Sequence, residues 1–158
     1  MMPSLTISLG MFVLTLAVQM VLVIILVQIA SSTNPQSWLR PSYARNFVLL
    51  QGVAALMLLV HLVNIALWAW LFCLCGEFSE FEAAYYHSAV NYSSLGYGDI
   101  VMSKQWRLLG PLETVNGMMM FGISTALILA IASRLIEQRL KANQTNRDAT
   151  GQSTSARA

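Results

Sequence analysis

The chain has 158 residues, of which 56% are hydrophobic and only 10% charged, for a net charge of +2. A soluble domain carries about 25% charged residues, and at this size it could not hide so much apolar surface. The composition therefore excludes a nucleic-acid binder, a soluble enzyme and a disulfide-stapled secreted domain, and it predicts a membrane-embedded chain.

Leu5–Ala30 is a run of 26 residues without a charge. About 20 mostly apolar residues suffice to cross a bilayer as a helix. The run lacks a basic leader and exceeds the roughly 7–15-residue core of a signal peptide, so it reads as a span. Arg40 and Arg45 follow in a short polar linker. Asn46–Cys75 is a second run, 30 residues long and again uncharged. Within it, His61 and Asn64 stand one turn apart at mid-membrane depth. They read as partners in interhelical hydrogen bonds, with the first span as one candidate, in preference to a pH sensor. Cys73 and Cys75 are too close in sequence to bond each other without strain and read as unpaired apolar packing.

Residues 76–107 are too long for a simple connection and too apolar for a solvated loop. Ser79 with Glu82 three positions on predicts a capping box. A helix of about three turns is expected to follow, through Phe81, Ala84, Tyr85, Ser88 and Tyr92. Such a helix is too short to span a bilayer. It predicts a re-entrant segment that stops partway and returns as extended chain, Ser93-Ser94-Leu95-Gly96-Tyr97-Gly98-Asp99. Irregular backbone at membrane depth persists only where protein buries it or water reaches it.

Gly96-Tyr97-Gly98-Asp99 resembles the selectivity-filter signature of tetrameric potassium channels, with Ser94 where Thr is usual and Leu95 where Val is usual. The resemblance covers about residues 46–136 and implies an outer helix, a pore helix, a filter and an inner helix. The overall look is of small bacterial three-span channels. Ion coordination by backbone carbonyls needs successive carbonyls to face one axis, so the backbone must alternate between right- and left-handed conformations. Glycine takes positive φ without steric cost, which suits Gly96 and Gly98. K⁺, as permeant ion rather than cofactor, would meet the carbonyls of Ser94, Leu95, Gly96, Tyr97 and Gly98, and also the Ser94 hydroxyl. Tyr97 is expected to pack against the pore helix and Asp99 to close the outer mouth.

Leu108–Ile136 is the third run, with only Glu113 and, near its end, Arg134 charged. Pro111 suits a first helical turn. Gly117, Phe121 and Thr125 recur at spacing four, and Leu129 and Ser133 continue the row, which reads as the pore-lining stripe. Gly117 aligns with the gating hinge of the resembled channels, although close helix packing accounts for it equally well; Gly122 reads as packing. Glu113, one turn into the membrane, needs a partner and reads as support for the filter from behind. That carboxylate would replace a pore-helix brace that Val90 cannot supply.

Basic residues gather on the cytoplasmic side of spans. Arg40, Arg45, Arg134, Arg139, Lys141, Arg147 and Arg157 share one side if the N-terminus is outside and the C-terminus inside. Arg134, Arg139 and Lys141 could also meet anionic lipid head groups. The first run carries no Arg ladder, so no voltage sensor is expected. The tail is polar and predicted to lack regular structure. The expected organisation is an extra N-terminal helix and linker (1–45), a pore domain (46–136) and a cytoplasmic tail (137–158). The fold is all-α, with three transmembrane helices plus a re-entrant pore helix and filter loop. Since the chain holds one copy of every element, four identical subunits would surround an ion with C₄ symmetry. The expected function is K⁺-selective conduction in a bacterial inner membrane, not catalysis. A weakly selective cation channel and a non-conducting scaffold subunit are the alternatives.

Overall fold

The computed structural model describes residues 2–32 and 43–155; Arg40 and the rest of the linker at 33–42, and Arg157 at the end of the tail, lie outside the described residues. Four helices follow in chain order: α1 (Met2–Ser32), α2 (Tyr43–Leu74), α3 (Phe81–Tyr92) and α4 (Leu109–Ser155). No β-sheet pairing occurs among the described residues. Three helices are long and apolar enough to cross a membrane, over Ser4–Leu26, Asn46–Leu74 and Leu109–Lys141.

The distribution of polarity identifies the solvent. On α1 the buried residues include Ser4, Ser8, Thr15 and Gln19, while Leu5, Leu9, Val13, Val21 and Ile24 are exposed. A helix in water would bury the second set and expose the first. In hydrocarbon the outward face costs nothing by being apolar, and polar groups turn inward to find partners. Thr15 and Asn116 hydrogen-bond across the α1–α4 contact at 2.8 Å. Ser4 Oγ donates to the carbonyl of Gln105 at 3.0 Å, tying the start of α1 to the loop before α4.

Helix α2 stops where Gly76 takes φ 75°. The amide of Glu77 then reaches the Phe72 carbonyl at 3.2 Å and that of Gly76 the Cys73 carbonyl at 3.0 Å, the paired bonds of a Schellman cap. Glu77 next grips the far end of the connecting segment: its carboxylate accepts from the amide of Ser103 at 2.7 Å and from the Ser103 hydroxyl at 2.6 Å. Cys73 and Cys75 are unpaired and rest against the core, as expected. Burial and the nearby Glu77 charge push the Cys75 thiol up, which keeps it neutral.

Two local expectations are corrected. The N-cap of α3 is Glu80, whose side chain makes no capping bond, so the Ser79–Glu82 capping box does not form. Helix α4 continues to Ser155, through the stretch expected to be irregular. The core lies where α2, α3 and α4 meet, around Ile65, Trp68, Phe72, Ala84, Tyr92, Leu109 and Met120.

The candidate ion-conducting site

Helix α3 is 12 residues long and delivers its last turn to a single turn of α4. Three contacts fix that junction. The Ser88 hydroxyl hydrogen-bonds the carboxyl of Glu113, and Ser88 Oγ also lies 2.8 Å from the Ile65 carbonyl of α2. Thr114 Oγ1 donates to the Asn91 carbonyl at 2.8 Å. At Gly117 a Cβ would stand 2.2 Å from the Tyr92 carbonyl oxygen, so only glycine admits this approach. Glu113, Thr114 and Gly117 are three and four apart, on one helix face.

Glu113 is fully buried, and Ser88 Oγ stands between its carboxyl and the Ile65 carbonyl, joining α2, α3 and α4 at one point.

Beyond α3 the chain folds back on its last carbonyls. The amide of Ser94 bonds the Asn91 carbonyl at 2.9 Å, and those of Leu95 and Gly96 bond the Val90 carbonyl at 2.9 and 3.2 Å. Three residues then have positive φ: Ser94 at 63°, Gly96 at 59° and Gly98 at 72°. Leu95 and Tyr97, between them, do not. The backbone thus alternates in hand over five successive residues. Such alternation is the conformation that carbonyl coordination of an ion along one side of a strand requires. Gly96 and Gly98 have open space around them, so their glycine is demanded by φ and not by crowding. Ser94 is the position that glycine counting misses: serine gives no sign in sequence of a left-handed conformation.

Asp99 follows the strand and accepts from the Tyr86 hydroxyl of α3 at 2.8 Å. That bond and the Asp99 charge hold the Tyr86 phenol above its usual range. His87, one residue on, is buried against Phe72 and Phe78, with ring centroids 5.5 and 5.2 Å away, and burial holds its imidazole below its usual range. Tyr97 is 66% exposed, so α3 of its own chain does not cover it.

The row expected to line a pore divides in two. Gly117 is buried against α3. The Phe121 ring lies 4.5 Å from that of His61 and 5.5 Å from that of Tyr92, yet the residue is 40% exposed. Thr125, Leu129 and Ser133 stand on the exposed face. Of the two glycines, Gly117 is the one close-packed within the chain, while a Cβ on Gly122 would meet nothing within 4 Å.

Gln19, Ser88, Asn91 and Tyr92 were not singled out as functional by sequence reasoning. For Gln19 a signal existed: Ser4, Ser8, Thr15 and Gln19 recur on one face of an otherwise apolar run. For Tyr92 none did, because its partners come from other helices.

Spanning helices, a short helix held between them and a glycine-spaced strand hung from its end define a multi-pass membrane protein built around a looped segment. A family model described as ion channel matches residues 56–134, half of the chain, and takes in α3, the strand and most of the apolar part of α4. The chain belongs to this ion-channel family. The match bears out the potassium-channel pore resemblance carried by Gly96-Tyr97-Gly98-Asp99, without singling out a member. No curated protein and no solved structure matches the chain.

Proposed function

We propose that the chain is one subunit of a K⁺-selective channel whose filter is the strand Ser94–Gly98. The observation that carries this reading is the alternation of backbone hand at 94, 96 and 98. It allows each residue's carbonyl the same outward side, which is what replacement of a K⁺ hydration shell requires. One strand offers one oxygen per level, so four chains about a four-fold axis complete the cage. Exposure of Leu95 and Tyr97 in the single chain supports this assembly, because neighbouring subunits would cover them. In it, α3 is the re-entrant pore helix and Glu113, through Ser88, braces the filter from the inner helix. Asp99 sits at the outer mouth, oriented by Tyr86. Below the filter, Thr125, Leu129 and Ser133 line the pathway on the open face of α4. The C-terminus is cytoplasmic and the N-terminus outside, by the distribution of Lys and Arg. At the cytoplasmic end of the third span, Arg134, Arg139 and Lys141 suit the anionic head groups of a bacterial inner membrane.

The test is the reversal potential of the purified protein in planar bilayers under opposing K⁺ and Na⁺ gradients, with native mass measurement of the same preparation. A strong preference for K⁺ from a tetramer is expected. Equal permeability would leave a non-selective cation pore, and a stable monomer or dimer would remove the cage altogether.

A further inference from the structure

Four buried polar side chains, one from each helix, form a continuous chain through the protein. Gln19 of α1 donates from Nε2 to Ser124 Oγ of α4 at 3.1 Å. Ser124 Oγ lies 3.0 Å from His61 Nε2 of α2, and His61 Nδ1 lies 3.0 Å from the Tyr92 hydroxyl of α3. Asn64, one turn from His61, donates to the same Tyr92 oxygen at 3.4 Å. Gln19 and Tyr92 are fully buried, and His61 and Ser124 are 6% and 5% exposed. The Phe121 ring closes over the His61 and Tyr92 rings.

Hydrogen counting orders this chain. Among the described residues the Tyr92 hydroxyl has no acceptor other than His61 Nδ1. A helical serine hydroxyl, by contrast, has its own helix's carbonyls within reach. One order consistent with these contacts is Tyr92 O–H to His61 Nδ1, then His61 Nε2–H to Ser124 Oγ. The amide of Gln19 completes Ser124 and that of Asn64 completes Tyr92. A neutral imidazole is suited to the middle place because its rigid ring accepts at one nitrogen and donates at the other.

The far end of the chain matters most. Tyr92 is the last residue of α3. Its hydroxyl is held by His61, and its carbonyl faces Gly117 of α4 at a close approach of the two helices. Two residues on, Ser94 begins the alternating strand, and the amides of Leu95 and Gly96 hang from the Val90 carbonyl of the same turn. Rotation of Tyr92 about its backbone would move all of them.

We propose that α1 is a tether for the filter: the relay Gln19–Ser124–His61–Tyr92 carries the seating of the first helix to the carboxyl end of the pore helix, with His61 as the positioning residue. The relay's effect on the strand is a property of the fold. Its effect on conduction rests on the reading of Ser94–Gly98 as the filter, so the two are measured separately.

The first measurement is site-resolved amide hydrogen exchange at Leu95 and Gly96 in the full-length protein in lipid nanodiscs. Gln19→Leu and Tyr92→Phe are each expected to speed exchange there about fivefold, the weight of one buried hydrogen bond. Ser4→Ala, which breaks a different α1 contact, is expected to leave it unchanged. Tyr92→Phe with His61→Phe should add nothing to either alone, since both open the same link. His61→Gln, which keeps a donor and an acceptor, should recover most of the protection. If His61→Phe does not assemble, Gln19→Leu and Tyr92→Phe decide the matter. Unchanged exchange at Leu95 and Gly96 in Gln19→Leu, or an equal effect of Ser4→Ala, overturns the relay. The second measurement is the reversal potential of the Tyr92→Phe channel, whose K⁺ over Na⁺ permeability ratio is expected to fall severalfold. Faster exchange in a protein without wild-type K⁺ preference upholds the relay and removes the filter reading. Slow exchange in a K⁺-selective protein does the reverse.

Discussion

Gly117→Ala separates a hinge from a packing contact by the sign of its effect. A flexible mid-helix glycine costs about 1 kcal/mol relative to alanine, so removing a mere hinge should stabilise α4 by that amount. The contact at Gly117 predicts the opposite. The added Cβ would stand 2.2 Å from the Tyr92 carbonyl oxygen, 3.1 Å from its carbonyl carbon and 3.2 Å from its Cα. A relaxed C···O contact needs about 3.3 Å, so α3 and α4 must part by about 1 Å. The obstacle is main chain at the end of a helix and cannot swing aside. Overpacking of this kind costs about 1–3 kcal/mol. The same displacement stretches the Glu113–Ser88 and Thr114–Asn91 bonds on the same helix face. Each lost bond adds roughly 1 kcal/mol. The net expectation is a loss of about 2–4 kcal/mol per chain, after the helix-propensity gain is subtracted. Gly122→Ala is the internal control, because its Cβ meets nothing within 4 Å and only the propensity gain remains. Detergent-induced unfolding of the two variants, followed by circular dichroism, measures both. If Gly117→Ala is as stable as wild type or more so, the α3–α4 contact does not fix this glycine and the argument fails.

Gly98→Ala places a side chain at φ 72°, where a non-glycine residue pays about 1–2 kcal/mol with no steric clash to add. Bilayer recordings should therefore show K⁺ preference greatly weakened while the oligomer survives; undiminished selectivity would exclude the strand as the filter. Glu113→Gln keeps the shape and a hydrogen-bonding group beside Ser88 and should assemble like wild type, whereas Glu113→Ala should lower thermal stability by about 2 kcal/mol through the unfilled site. The Tyr86–Asp99 bond raises the phenol above its ordinary value of 10.0, so its contribution is complete below that pH and disappears as pH rises through the raised value. Ultraviolet titration should find a higher tyrosine midpoint in wild type than in Asp99→Asn, and coincident curves would deny the bond. Thr125→Cys, on the exposed face of α4, should react with a water-soluble thiol reagent from the cytoplasmic side faster than Leu127→Cys, which is half-buried. Equal rates would place the open face elsewhere.

The sequence by itself determined the features whose causes are local. Three long runs, two uncharged and one nearly so, dictate three spanning helices, because a bilayer selects on length and polarity alone. The span of α3 was legible because a helix-compatible stretch of about three turns ends where the Ser-Ser-Leu-Gly sequence begins. The left-handed conformations at 96 and 98 were legible because glycine announces its freedom in φ. What depends on contacts between helices was not legible. Ser94 is left-handed because the carbonyls of Asn91 and Val90 capture its amide and the two that follow. Gly117 and Gly122 look alike in the chain, and only the position of Tyr92 decides which of them is crowded. The polar row on α1 acquires its meaning from Asn116 and Ser124, more than 100 residues away. His61 is one polar residue in an apolar helix until the fold brings Tyr92 to one of its nitrogens and Ser124 to the other. Within hydrocarbon an apolar face gives helices little preference for one neighbour over another, so these few polar contacts and close approaches fix the arrangement, and pairings of that kind exist only in three dimensions.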